Sequence, residues 1–195
     1  RGRTRALAAA RSAAKGVWVR GPGRAAIDAL EGVLGSVRLV AEDLGVITKR
    51  VVALRHALGL PGMRVLQFAF DGNPVNPHLP EHHGPDTICY TGTHDNDTTL
   101  GWWRGLARAE RARVVRAIGD PHPDMPRALV ELAWSSPAPL AIVPMQDLLG
   151  LGTEARMNRP GTRKGNWRWS LHGDALPARF ESRILDALAR HGRAA

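Results

Sequence analysis

Cysteine, lysine and long apolar runs are what this sequence has least of. Cys89 is the only cysteine in 195 residues, so no internal disulfide can form, which fits a reducing cytoplasm. It lies in an apolar run, Ile88-Cys89-Tyr90, where a thiol is expected to pack as a small core residue rather than act as a nucleophile. There is no stretch of about 18 apolar residues, hence no expected transmembrane helix, and the first residues carry no apolar signal-peptide core. Lysine is confined to Lys15, Lys49 and Lys164, and arginine supplies the rest of a net charge of +9. That charge would ordinarily raise nucleic-acid binding. The arginines, however, are spread along the chain, as a GC-rich coding sequence would produce without selection for polyanions. They cluster only at Arg1, Arg3, Arg5 and Arg11 and along Arg104–Arg116, and a basic helix face is more often simply solvated. Neither nucleic acid nor membrane is an expected partner. Glycine-rich phosphate loops of the G-x-G-x-x-G or G-x-x-x-x-G-K-[ST] kind are missing as well.

What is present centres on one stretch, Ile88 to Thr99. It begins as a β-branched and aromatic run that reads as a buried strand. It then turns abruptly into small and polar residues. Gly92 allows a turn or a close approach, and His94, Asp95, Asn96 and Asp97 crowd hydrogen-bonding groups onto the strand's exit. One of these side chains could merely cap the next helix. A cap needs only one, and loops at strand ends carry function disproportionately.

Around this stretch the chain alternates. Residues 1–15, rich in arginine and alanine, read as a weak helix or frayed tail. A helix is expected over 24–34 (Ile27, Leu30 and Leu34 on one face, Gly35 as its stop), a strand over 38–41, and a helix over 46–58. Strands follow over 63–70 and 88–92, one helix from 97 to 117, another from 124 to 134, a strand over 140–145 and a last helix over 178–190. The loop over 74–85, rich in proline and histidine, has the length of a functional loop. Alternation of this kind implies an α/β fold of parallel strands with right-handed crossovers. Each strand ends in acidic or amide groups: Glu42 and Asp43, Asp71 and Asn73, Asp95 to Asp97, Gln146 and Asp147. Barrels keep their chemistry at that rim. Four strands make half of one.

Carboxylates converging on a rim suit a metal or the chemistry of a glycosidic bond. His56, His82, His83 and His94 are available as ligands, but the adjacent His82-His83 pair is poorly spaced for a tetrahedral site, and no metal is expected. Sugar chemistry needs two carboxylates across the scissile bond, and Trp167, Trp169 or Tyr90 could stack on sugar faces, though tryptophans are more often core.

Four segments carry a specific resemblance: Ala41–Gly45, Leu60–Gly72, Tyr90–Thr99 and Gln146–Gly152, extended by Glu154–Asn158, Pro160–Thr162 and Gly165–Trp167. In this order they resemble the 4-alpha-glucanotransferases (amylomaltases, glycoside hydrolase family 77) over about residues 16–175. The resemblance implies that residues 16–195 form the C-terminal half, about strands 5–8, of a (β/α)8 TIM-type barrel. The implied activity is retaining transfer of α-1,4-glucan segments (maltodextrins, starch, glycogen) to glucose or glucan acceptors, without a cofactor. Glu42 matches the general acid/base, and Asp95 the carboxylate that stabilises the transition state. His94, Asp71, Asn158 and Gly161 match substrate-binding positions, while Asp43 is structural.

The family's nucleophile, an aspartate in an Arg-x-Asp-His-Phe-Arg-Gly type motif, has no match in this sequence; the resemblance puts it just before Arg1. Residues 3–15 depart from the family's aromatic-rich segment, as a shifted reading frame would make them. This chain alone is therefore expected to be inactive. Two other readings are a half-barrel that binds glucan without catalysis, and an arginine-rich nucleic-acid-binding protein.

Overall fold

A computed structural model describes residues 4–5, 16–172 and 176–193. The chain forms two compact units, residues 1–62 and 63–195.

In the first unit, Thr4–Arg5 (β1) pairs antiparallel with Val17–Trp18 (β2). The rest of the expectation for residues 1–15 lies outside the described residues. Helix α1 spans Arg24–Leu34, as the spacing of Ile27, Leu30 and Leu34 predicts, and ends at Gly35, whose φ of 75° no β-carbon would tolerate easily. Helix α2 is shorter than expected, Lys49–Ala57, because the Thr48 hydroxyl accepts the Val51 N–H and sets the start. The strand expected over 38–41 contracts to a single parallel bridge, Ala41 with Gly62. A ladder bond runs from the Ala41 N–H to the Pro61 carbonyl at 2.9 Å.

The second unit is built on a three-stranded sheet of Gly62–Val65 (β3), Thr87–Tyr90 (β4) and Leu140–Ile142 (β5), in that order. β4 and β5 run parallel, with Ile88 opposite Leu140, Cys89 opposite Ala141 and Tyr90 opposite Ile142. The crossover between them contains α3 (Thr99–Gly105), α4 (Arg108–Ile118) and α5 (Arg127–Ser135). The single helix expected from 97 to 117 is thus two. The Glu110 carboxylate accepts the Ala107 N–H at 2.8 Å and starts α4 afresh, while the Arg111 guanidinium donates to the carbonyls of Trp103, Arg104 and Leu106 around the end of α3. β5 is followed by a short helix, α6 (Met145–Leu148), and α7 spans Phe180–Arg190.

The core lies between the sheet and the crossover helices. Leu66, Phe70, Cys89, Val114, Leu129 and Ala133 form it, and α7 adds Ala187 against Val130 and Trp134 of α5. Cys89 is fully buried, and burial pushes its thiol up to about 11, the behaviour of a packed residue and not of a nucleophile. The run over 63–70 leaves the strand conformation after Val65 and becomes a 3-10 turn at Leu66–Phe68. Gln67 explains the change, for its buried amide has to find the Asp97 carbonyl, 3.0 Å away. The loop over 74–85 is tied down by its own histidines. His78 Nδ1 accepts the Val65 N–H, His82 Nε2 meets the Pro74 carbonyl, and buried His83 bridges the His78 carbonyl and the Ser136 hydroxyl. Among the described residues no helix is long and apolar enough to cross a membrane.

Candidate active site

β4 delivers its polar exit as a rigid turn. Thr91 is fully buried, and its hydroxyl donates to Asp147 Oδ2 at 2.7 Å. Asp147 also accepts the backbone N–H of Thr99 at Oδ1 and the Thr99 hydroxyl at Oδ2, both at 2.7 Å. One buried carboxylate thus fastens the end of β4 and the first residue of α3 to the segment after β5. Gly92 is glycine because a β-carbon there would lie 2.8 Å from the Gln67 amide nitrogen; it makes room for a protein side chain. Asn96 Oδ1 accepts both the N–H and the hydroxyl of Thr93, at 2.9 and 2.8 Å, which closes the turn carrying His94 and Asp95.

A second loop is laid against this turn. Asp97 Oδ2 accepts the Thr153 hydroxyl at 2.9 Å and sits 3.9 Å from Arg156 Nη1. From there Arg156 donates to the backbone carbonyls of Asp95 (2.7 Å) and Asn158 (2.8 Å). The Asn158 N–H reaches the His94 carbonyl at 3.1 Å. Positioned in this way, the Asn158 side-chain amide donates to Asp95 Oδ1 at 2.5 Å, and His94 Nε2 lies 3.3 Å from the same oxygen. Both partners grip Oδ1, and none of the hydrogen bonds described here involves Oδ2. The side chains of His94 and Asp95 are about half exposed, 52% and 47%. Chemically, this is a carboxylate fixed at one oxygen and open at the other, suited to grip a hydroxyl or face a developing positive charge.

Of the residues singled out from the sequence, His94, Asp95 and Asn158 come together. Gly161 stands three residues beyond Asn158 in a tight turn at φ 82°, closed by the Thr162 N–H on the Arg159 carbonyl. Asp71 is exposed and shapes its own turn: the Asn73 N–H donates to its Oδ1 at 2.8 Å, and that bond holds its carboxyl below the usual carboxylate range, with the Asn76 side chain acting the same way. Glu42 belongs to the first unit, where it is exposed and follows the Ala41 bridge. Its neighbour Asp43 is structural, as expected, as an ion-pair partner. It pairs with Arg55 Nε at 3.4 Å, with both side chains under 10% exposed. Gln146 and Asp147, counted above among the strand-end polar groups, are buried and occupied within the fold. Among the described residues no group of three or more His, Cys, Asp or Glu side chains could hold a metal ion.

Sequence reasoning missed Arg156 and Asp97 as the pair that joins the two loops. Their separation of 59 positions leaves no local pattern to find them by. A cavity of about 470 Å³ between α5 and α7 contains none of His94, Asp95 or Asn158.

Comparison with known proteins shows which family the chain resembles. The family model for 4-alpha-glucanotransferase, glycoside hydrolase family 77, matches residues 6–176. A chloroplastic/amyloplastic 4-alpha-glucanotransferase of Arabidopsis thaliana is 45% identical over 188 residues, covering 94% of this chain and 33% of that protein. A 4-alpha-glucanotransferase of Thermus thermophilus is 47% identical, covering 88% of this chain and 37% of the relative. The amylomaltase from Streptococcus agalactiae, solved in complex with acarbose, superposes with a TM-score of 0.89 at 27% identity, over 96% of this chain and 38% of that one. The chain spans about a third of the length of the curated relatives it matches. With a family model covering most of its residues and relatives at nearly half identity, the chain belongs to the 4-alpha-glucanotransferase family.

Proposed function

We propose that this chain contributes to the retaining transfer of α-1,4-glucan segments between glucan donors and glucan or glucose acceptors, as part of a (β/α)8 barrel whose strands 5–8 it supplies. Asp95 is the carboxylate that stabilises the transition state. Its fixed Oδ1 and open Oδ2 are the observation that carries this reading. As the sugar at the cleavage point gains oxocarbenium character, hydrogen bonds from its hydroxyls to a preorganised carboxylate strengthen, and bonds that tighten only then lower the barrier. His94 donates to the same sugar, and Asn158, Asp71 and Gly161 lie along the glucan path.

Glu42 is the general acid/base in this proposal. It protonates the departing glycosidic oxygen and then takes the proton of the incoming sugar hydroxyl. The exposure of Glu42, directly after the Ala41 bridge, is compatible with that exchange. The covalent step needs a nucleophilic aspartate that the 195 residues do not match, so the proposal assigns it to a segment outside them. The glucan class is further supported by the acarbose complex of the streptococcal neighbour.

The test is disproportionation of maltotriose with release of glucose, in this chain alone and joined to the segment that carries the nucleophile. The joined protein is expected to transfer, the chain alone not, and Glu42→Gln in the joined protein to lose transfer. Near-normal transfer by Glu42→Gln would remove Glu42 from the acid/base role.

A further inference from the structure

Trp167 is placed in a way that packing does not explain. It is 60% exposed, whereas Trp102 and Trp103 pack partly buried against the core, Trp134 is 7% exposed and Trp169 is half-buried. Its backbone adopts φ 59°, the left-handed region that a residue with a β-carbon disfavours; among the described non-glycine residues only Arg179 shares it. A strained and solvent-facing tryptophan persists only where the surroundings impose it. Here they do so. Gly165 turns the chain at φ 84°, the Asn166 side chain accepts the Arg159 N–H at 3.0 Å and donates to the Thr162 carbonyl at 3.1 Å, and the Trp167 N–H reaches the Met157 carbonyl at 2.7 Å.

The product of this scaffolding is a ring pair. The indole of Trp167 lies 5.1 Å from the His94 imidazole, centroid to centroid, with 37° between the planes. His94 in turn sits 3.3 Å from the Asp95 carboxylate. An aromatic ring is therefore held within one ring's reach of the carboxylate assigned to the cleavage point, on a residue that is largely in water.

We infer that Trp167 is a stacking platform for a pyranose ring of the glucan, next to the sugar that Asp95 engages. The apolar C–H face of a glucose ring matches an indole in size, and stacking removes apolar surface of both from water. The platform rests on the glucan-transfer reading above and adds to it a binding subsite built from one exposed aromatic residue. Its preorganisation explains the strain: the energy is spent in folding, so the ring need not be ordered when the sugar arrives.

The experiment is a calorimetric and fluorescence titration of the protein with maltoheptaose and with acarbose, for wild type, Trp167→Phe and Trp167→Ala. Wild type is expected to bind, Trp167→Ala to bind at least tenfold more weakly, and Trp167→Phe to recover most of that loss. The ligand-induced change in tryptophan emission should shrink strongly in Trp167→Phe. In the transferring protein KM should rise with kcat nearly unchanged. A fall in kcat with KM unchanged would instead make Trp167 a prop for His94 and overturn the platform. Binding by Trp167→Ala within twofold of wild type would overturn it too, and so would an unaltered emission change in Trp167→Phe, the variant that decides the matter if Trp167→Ala fails to fold. Absence of binding by wild type would sink the glucan reading itself, a result distinct from these.

Discussion

The Asn158 amide donates to Oδ1 of Asp95 at 2.5 Å across 63 positions of sequence. A donor so close to a carboxylate fixes which oxygen remains for substrate. Asn158→Ala should leave the fold intact by circular dichroism. Transfer should fall about 10- to 100-fold, the rate equivalent of about 1.5–3 kcal/mol for a hydrogen bond to a charged group. An unchanged kcat/KM would show that Asp95 needs no such anchoring.

Asp147 should behave differently. Asp147→Ala removes the acceptor of three buried donors, the Thr91 hydroxyl, the Thr99 N–H and the Thr99 hydroxyl. At about 1–3 kcal/mol per stranded donor, a loss of about 3 kcal/mol or more is expected, seen as a drop in Tm of about 6–12 °C. A Tm within two degrees of wild type (about 1 kcal/mol or less by the same scaling) would contradict this role.

His83 makes stability depend on pH. Desolvation holds its imidazole below the ordinary value, while the His78 carbonyl acts the other way. With Nε2 facing that carbonyl, neutral Nδ1 accepts the Ser136 hydroxyl at 2.7 Å. A histidine held neutral contributes fully above its unfolded pKa of about 6.5, and the contribution is lost as pH falls from there through the folded value. Urea midpoints should therefore decline as pH falls below about 6.5, and the decline should flatten in His83→Gln. Parallel curves for the two proteins would rule His83 out as the cause.

Gly62 is a steric requirement of the first unit. A β-carbon there would overlap the Asp43 carboxylate, which is paired with Arg55. Gly62→Ala is expected to destabilise by about 1–3 kcal/mol, as overpacking does, measurable by chemical denaturation. A neutral result would mean that the Asp43 side chain can swing aside.

Much of the scaffold could be read from residues alone because the signals were local. The 24–34 helix was set by the spacing of Ile27, Leu30 and Leu34 and by Gly35, and the central strand by its β-branched run. Boundaries failed where a side chain had a distant partner. Gln67 bends a strand-like run toward Asp97, Glu110 restarts a helix, and the segment over 38–41 keeps only one bridge. At the candidate site, resemblance supplied His94, Asp95 and Asn158, and coordinates brought them together. The support from Arg156 and Asp97 was invisible because it joins segments 59 positions apart. Asp71 reads as a strand-end carboxylate in sequence but as a turn former in three dimensions.

The triple grip of Asp147 has a consequence for how variants of this family are classified. Because that carboxylate sets where the Thr91–Thr99 turn rests, replacing it would displace Asp95 without touching any sugar. A mutational survey scored by turnover alone would therefore rank Asp147 beside the reacting groups, and only a parallel measurement of soluble, folded yield would reveal it as masonry.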